Sequence, residues 1–139
     1  MLLLDNSAWA RLLTGVVSRA RAKTIAAWMN RGELAVCLPF LLEAGYSARS
    51  ASDRRALMTS FAKLPNIALD QEIERISLDA QRELAEVGHH RLAPTDLIIA
   101  ACAHKSEAGV LHYDRDYDLI ATHTSLAFES EWLAPPGTL

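Results

Sequence analysis

The sequence predicts an α/β fold, a three-layer α/β/α sandwich around a mostly parallel sheet. Apolar runs at Leu2–Leu4, Leu34–Leu38 and Val110–Tyr113 have the length of buried strands and are separated by segments with helical periodicity. Strands that alternate with helices pair in parallel, because each crossover helix returns the chain to the same end of the sheet. Acids close two of the runs, Asp5 after Leu4 and Asp114 after Tyr113, and ligand sites of parallel sheets lie beyond the carboxyl ends of their strands.

Each element follows from local chemistry. After the first strand, Asn6 or Ser7 can cap a helix carrying Trp9, Leu12 and Leu13, which Gly15 ends. Ser18 to Asn30 read as helix, Gly32 stops it, and the second strand follows at Leu34–Leu38. Pro39 suits the first helical position, and the helix it opens runs to about Arg49, placing Phe40, Glu43, Tyr46 and Ser47 on one face. Ser52 or Asp53 can cap a further helix through Ala62, Pro65 and Asn66 break it, and Ile67 to Leu69 make a brief extended piece. Asp70 caps a long amphipathic helix to about Glu86, with Ile73, Ile76 and Leu84 on its apolar side. Beyond the loop from Gly88 to Ala93, Pro94 starts a helix so apolar, Leu97 through Ala103, that most of its surface must be buried. The strand at Val110–Tyr113 leads into a turn over Asp114–Asp118, and a weaker strand is expected at Leu126–Phe128. Residues 1–133 form a single domain, and 134–139, with Pro135, Pro136 and Gly137, a loosely held tail.

Composition narrows the function. The net charge of −3 and pI near 5.9 exclude a protein that coats nucleic acid by bulk positive potential, so contact with a polyanion must be local. Candidate basic patches are Arg19, Arg21 and Lys23, then Arg49, Arg54 and Arg55, then His89, His90 and Arg91. Cys37 and Cys102 lie among apolar neighbours and read as core residues of a reducing, cytoplasmic compartment. No apolar stretch approaches the roughly 20 residues that span a bilayer, and no secretory pattern is expected.

The acids carry the chemistry. Asp5, Glu43, Asp96, Asp114 and Asp116 all border apolar segments, where a carboxylate loses solvation at a cost of several kcal/mol unless a cation or hydrogen bonds compensate. Singly, each has a plain structural role as a cap, a turn residue or an ion-pair partner. Together at one edge of the sheet they would repel, and a hard divalent cation with an all-oxygen shell, Mg²⁺ or Mn²⁺, is the natural compensator.

The segments Leu4-Asp5-Asn6-Ser7, Pro39-Phe40-Leu41-Leu42-Glu43, Ala93-Pro94-Thr95-Asp96-Leu97-Ile98-Ile99-Ala100-Ala101 and Leu111 through Ala121 resemble the PIN-domain ribonucleases. More narrowly they are similar to the VapC-type toxins of toxin-antitoxin pairs. The resemblance implies an endoribonuclease that uses Mg²⁺, or Mn²⁺ in its place, with Asp5, Glu43, Asp96 and Asp114 as the acidic quartet that holds the ion and activates water. Asp116 matches a frequent fifth, supporting acid, and Ser7 a small polar residue of the pocket. His112 stands where Thr is frequent, and Asn6 where Thr or Ala is commoner. The resemblance further implies an RNA substrate, with tRNA or ribosomal RNA foremost and translation inhibited as a result. It also implies a cognate VapB-type antitoxin, a homodimer and no membrane association. A non-catalytic PIN-like module that binds RNA or protein is the alternative. A Mg²⁺-dependent phosphatase is disfavoured because Ser7 occupies the place of the second acid in its D-x-D-x-T order.

Overall fold

A computed structural model describes residues 1–139. Five strands and seven helices follow one another as β1 (Leu2–Leu4), α1 (Asn6–Thr14), α2 (Arg19–Asn30), β2 (Leu34–Cys37), α3 (Leu38–Tyr46), α4 (Ala51–Phe61), β3 (Asn66–Ile67), α5 (Gln71–Glu86), α6 (Pro94–Lys105), β4 (Gly109–His112), α7 (Asp116–His123) and β5 (Ser130–Trp132). The sheet order is β3-β2-β1-β4-β5 and every pairing is parallel. All residues of β2 and β4 are buried, so helices cover both faces of the sheet and the sandwich has three layers.

That order fixes where a site can form. From β1 the chain builds outward to β2 and β3 on one side, then crosses to β4 and β5 on the other. The direction reverses between β1 and β4, and at such a switch point the two flanking connections leave in opposite directions and open a crevice. Leu4 pairs with Leu111, so Asp5 and the turn after His112 lie side by side at its mouth.

The apolar helix α6 buries Leu97, Ile99, Ala100, Ala101, Cys102 and Ala103. Its run of small side chains lets the helix axis approach its neighbours closely. Phe61 packs edge-on against both Trp9 and Phe40, each pair of ring centroids 5.0 Å apart, and this cluster ties α1, α3 and α4 together. Cys37 and Cys102 are buried free thiols. Hydrogen-bonding contact with Cys102, and burial after it, hold the Cys37 thiol well above its ordinary value, in its neutral form.

Several elements differ from expectation, each for a local reason. Helix α3 stops at Tyr46, and α4 starts at Ala51, where Ser50 Oγ accepts from the Asp53 amide and the Asp53 carboxylate accepts from the Arg49 amide just before the cap. Ser50 is therefore the cap, and not Ser52 or Asp53. The shared aromatic face on α3 does not form as expected, since Phe40 is fully buried and Tyr46 is 92% exposed. Asp5, and not Asn6 or Ser7, caps α1. The third strand is Asn66–Ile67. Where a turn was expected, Asp116 begins α7, and the final strand is Ser130–Trp132 in place of Leu126–Phe128. Leu126 is buried as part of a loop. The last residue of the chain is tethered, with the Leu139 amide donating to the Tyr113 hydroxyl at 2.9 Å.

Candidate active site

Each acid reaches the crevice on a different element. Asp5 ends β1 and caps α1 through the Ser7 amide, 2.9 Å from Oδ2. Glu43 lies midway along α3, Asp96 in the first turn of α6, Asp114 in the turn after β4, and Asp116 at the start of α7. The Asp114 turn is closed internally by the Asp116 amide, which donates to Asp114 Oδ1 at 2.9 Å.

Asp96, Asp114 and Asp116 each offer a carboxylate oxygen, and these oxygens all lie within 4.8 Å of one another. Asp116, assigned a supporting place by the sequence reading, thus stands inside the cluster. Asp96 is only 6% exposed. Its carboxyl is pushed up to about 8, first by burial and then by the charges of Asp5, Asp114, Asp116 and Glu43. Asp5 and Glu43 stand outside that cluster of three, although their charges also act on Asp96. Asp116 is also raised, by partial burial and by Asp114.

Neutral donors organise the rest. The Tyr117 hydroxyl donates to Asp5 Oδ1 at 2.7 Å and lies 3.4 Å from Asp96 Oδ1. Burial first, and the neighbouring carboxylates second, hold that phenol far above its ordinary value, so it remains a donor. The Ser7 hydroxyl donates to Asp5 Oδ2 and accepts from the Tyr113 amide at 2.9 Å, joining the end of β1 to the turn after β4. Glu43 Oε1 accepts from the Thr95 hydroxyl at 2.8 Å, which fixes the carboxylate of α3 beside the first turn of α6. Arg11 lies over the Tyr113 ring, 4.2 Å from its centroid, and donates to the Ser7 carbonyl, so a fixed cation borders the pocket.

The donor set fits a hard divalent cation. Its first candidates are carboxylate oxygens alone, with no thiol or imidazole among the clustered acids, which suits Mg²⁺ or Mn²⁺ better than Zn²⁺. The roles of Tyr117 and Thr95 and the bonds of His112 were not legible in the sequence. Tyr117 sits at an apolar helical position, where its ring accounts for its presence and nothing local announces the hydroxyl. The basic patches are not all free, for Arg21 pairs with Glu131 at 2.6 Å and donates to the Leu133 carbonyl. The tryptophans pack: Trp9 on Phe61, Trp28 beneath the Arg21 guanidinium and Trp132 against Tyr113.

Residues 2–122 match the PIN domain family. Among curated relatives, ribonuclease VapC18 of Mycobacterium tuberculosis is 37% identical over 98% of this chain and 97% of its own length. Ribonuclease VapC51 of the same organism is 34% identical over 99% of this chain and 96% of its own. The DNA-bound VapBC crystal structure from Salmonella typhimurium superposes with a TM-score of 0.75 at 16% identity, covering 96% of this chain and all of that one. VapBC-5 from Mycobacterium tuberculosis gives 0.63 at 20% identity, over 93% of this chain and 97% of that one. At these identities the solved structures speak to the fold.

Proposed function

The chain belongs to the PIN-domain family, in company with the VapC ribonucleases, and from that premise we propose that it is a divalent-metal-dependent endoribonuclease and the toxin of a toxin-antitoxin pair. The cluster of Asp96, Asp114 and Asp116, with the charges of Asp5 and Glu43 also bearing on Asp96, carries this reading. A module that only binds RNA gains nothing from clustered negative charge facing phosphate, whereas a nuclease needs that charge to hold a cation against a polyanion.

Asp96, Asp114 and Asp116 would hold the ion most directly, with Asp5 and Glu43 completing the acidic wall. A bound Mg²⁺ or Mn²⁺ would supply Lewis-acid activation of water and neutralise charge on the scissile phosphate. Within the chain, Tyr117 and Ser7 orient Asp5 by donating to its two oxygens, and Thr95 aims Glu43. Asp96 gives up the proton that its surroundings favour when a cation arrives. Arg11 at the rim offers local positive charge to the RNA backbone, consistent with a chain whose net charge is −3.

The partner is a VapB-type antitoxin, and the toxin forms a homodimer in the cytoplasm. Leu38, Leu42 and Tyr46 lie along one face of α3 at 48%, 60% and 92% exposure, an apolar stripe of the kind that a protein partner covers. No helix is long and apolar enough to cross a membrane. The expected targets are tRNA or ribosomal RNA, with loss of translation as the outcome.

Purified protein should cleave RNA with Mg²⁺ or Mn²⁺ and stop on chelation. Asp96→Asn and Asp114→Asn should each lower the rate by about a hundredfold or more while melting cooperatively. Wild-type protein that binds RNA without cutting it identifies the non-catalytic module and defeats the proposal.

A further inference from the structure

The turn bearing Asp114 is held from behind by a hydrogen-bond chain. Asp118 Oδ1 accepts from Ser130 Oγ at 2.6 Å, Ser130 Oγ lies 2.7 Å from His112 Nε2, and His112 Nδ1 lies 3.1 Å from the Asp114 amide nitrogen. Trp132 Nε1 donates to the other Asp118 oxygen at 2.9 Å and fixes that carboxylate. His112 is fully buried, with ring centroids 4.8 Å from Tyr117 and 4.9 Å from Trp132.

The directions of these bonds can be assigned without reference to pH. An amide N–H only donates, so Nδ1 must be the acceptor at the Asp114 end. At the other end a carboxylate only accepts, so the Ser130 hydroxyl spends its proton on Asp118 and presents a lone pair to His112, which makes Nε2 the donor. Both ends independently demand the same neutral tautomer, protonated on Nε2.

We propose that His112 is a positioning residue of the metal site: the Asp118–Ser130 pair locks its tautomer, and its Nδ1 in turn fixes the Asp114 amide and so the aim of the Asp114 carboxylate. The inference rests on the metal-site reading above. It gives the polar strand β5 a purpose, since Ser130 and Trp132 both supply the relay from that strand.

Two substitutions separate the ends of the ring. In His112→Asn the amide oxygen takes the place of Nδ1 and keeps an acceptor for the Asp114 amide. In His112→Gln the amide nitrogen takes the place of Nε2, keeping the bond to Ser130 and losing the acceptor. Calorimetric titration of the folded proteins with Mn²⁺ should show His112→Gln weakened by about 10- to 100-fold and His112→Asn by less than about threefold. Nitrogen NMR of the metal-free protein should find His112 protonated on Nε2, with a coupling across the hydrogen bond from the Asp114 amide to Nδ1. Ser130→Ala, at a partly exposed strand position, serves where a His112 variant does not fold: the ring loses the acceptor that holds its Nε2–H, so the coupling from the Asp114 amide to Nδ1 should weaken and Mn²⁺ affinity should fall. A wild-type ring protonated on Nδ1, a His112→Gln that binds Mn²⁺ as wild type does, or a Ser130→Ala with unchanged coupling and affinity overturns the inference and leaves the metal site standing. Failure of wild type to bind Mn²⁺ overturns the metal site and the inference with it.

Discussion

Asp96 joins the chemistry of the site to the stability of the fold. Its carboxyl has a pKa near 3.8 in an unfolded chain and about 8 in the folded protein, chiefly from burial. Between those values the metal-free folded state holds a proton that the unfolded state has released. Folding is therefore favoured less as pH rises through that window, and the loss levels off above about pH 8. The slope is bounded by one proton, about 1.4 kcal/mol per pH unit. Urea unfolding in chelator should show wild type losing stability relative to Asp96→Asn as pH rises from about 5 to about 8; a constant difference, or one of opposite sign, would sink this account of Asp96. The residue was visible in the sequence as an acid beside Leu97-Ile98-Ile99, but its consequences were not. They depend on burial and on the charges of Asp5, Asp114, Asp116 and Glu43, brought in on other elements. Equally hidden were Tyr117, whose ring fills the core while its hydroxyl binds Asp5, and Thr95, which reads locally as a helix-start residue and in the fold aims Glu43 across from another helix. A side chain with two jobs shows only the nearer one in sequence.

Strands β4 and β5 hold the Asp114 turn, and their spacing depends on Gly109. A Cβ at that position would meet the Glu129 carbonyl oxygen and the Leu2 Cδ2 atom at 2.7 Å each. The carbonyl cannot move aside freely, because it accepts from the Val110 amide at 2.8 Å at the start of the β4–β5 ladder. Gly109→Ala should therefore destabilise the protein by about 1–3 kcal/mol as overpacking, read as a shift of the urea midpoint at unchanged slope; stability equal to wild type would show that the strands separate at no cost. Elements with an apolar signature or a strong cap were legible: β1, β2, the Asp70-capped α5 and the apolar α6 all stand where expected. Helix α7 and strand β5 were not. Arg115 caps α7 with no side-chain hydrogen bond, so the acids from Asp114 to Asp118 looked like a turn. Strand β5 is Ser-Glu-Trp at the edge of the sheet, with no apolar run, whereas Leu126 and Phe128 suggested a strand and instead fill the core from a loop.

Over the whole molecule, the decisive step is the one that composition and periodicity reach last, namely that β1 and β4 are neighbours although more than half the chain separates them. That pairing brings Asp5 and Asp114 to one crevice, and packing of α3 against α6 adds Glu43 and Asp96. The family resemblance anticipated the convergence; parallel topology supplies its physical cause. A fold that gathers like charges at its switch point would be stabilised there by a cation, so on the proposed function occupancy of the site and stability of the molecule should rise together. Mg²⁺ or Mn²⁺ at a hundredfold excess over its Kd should stabilise the protein by about 2.7 kcal/mol, a rise in melting temperature on the order of 10 °C for a domain of this size. The same salt should do little for Asp114→Asn, which keeps the Asx-type turn through its amide oxygen but removes a charge from the cluster. Equal stabilisation of wild type and Asp114→Asn would place the ion elsewhere on the surface. If wild type alone responds, a bound cation offsets the burial and repulsion that together raise Asp96, and the response should grow as pH rises toward about 8, because binding must displace the proton that metal-free Asp96 retains.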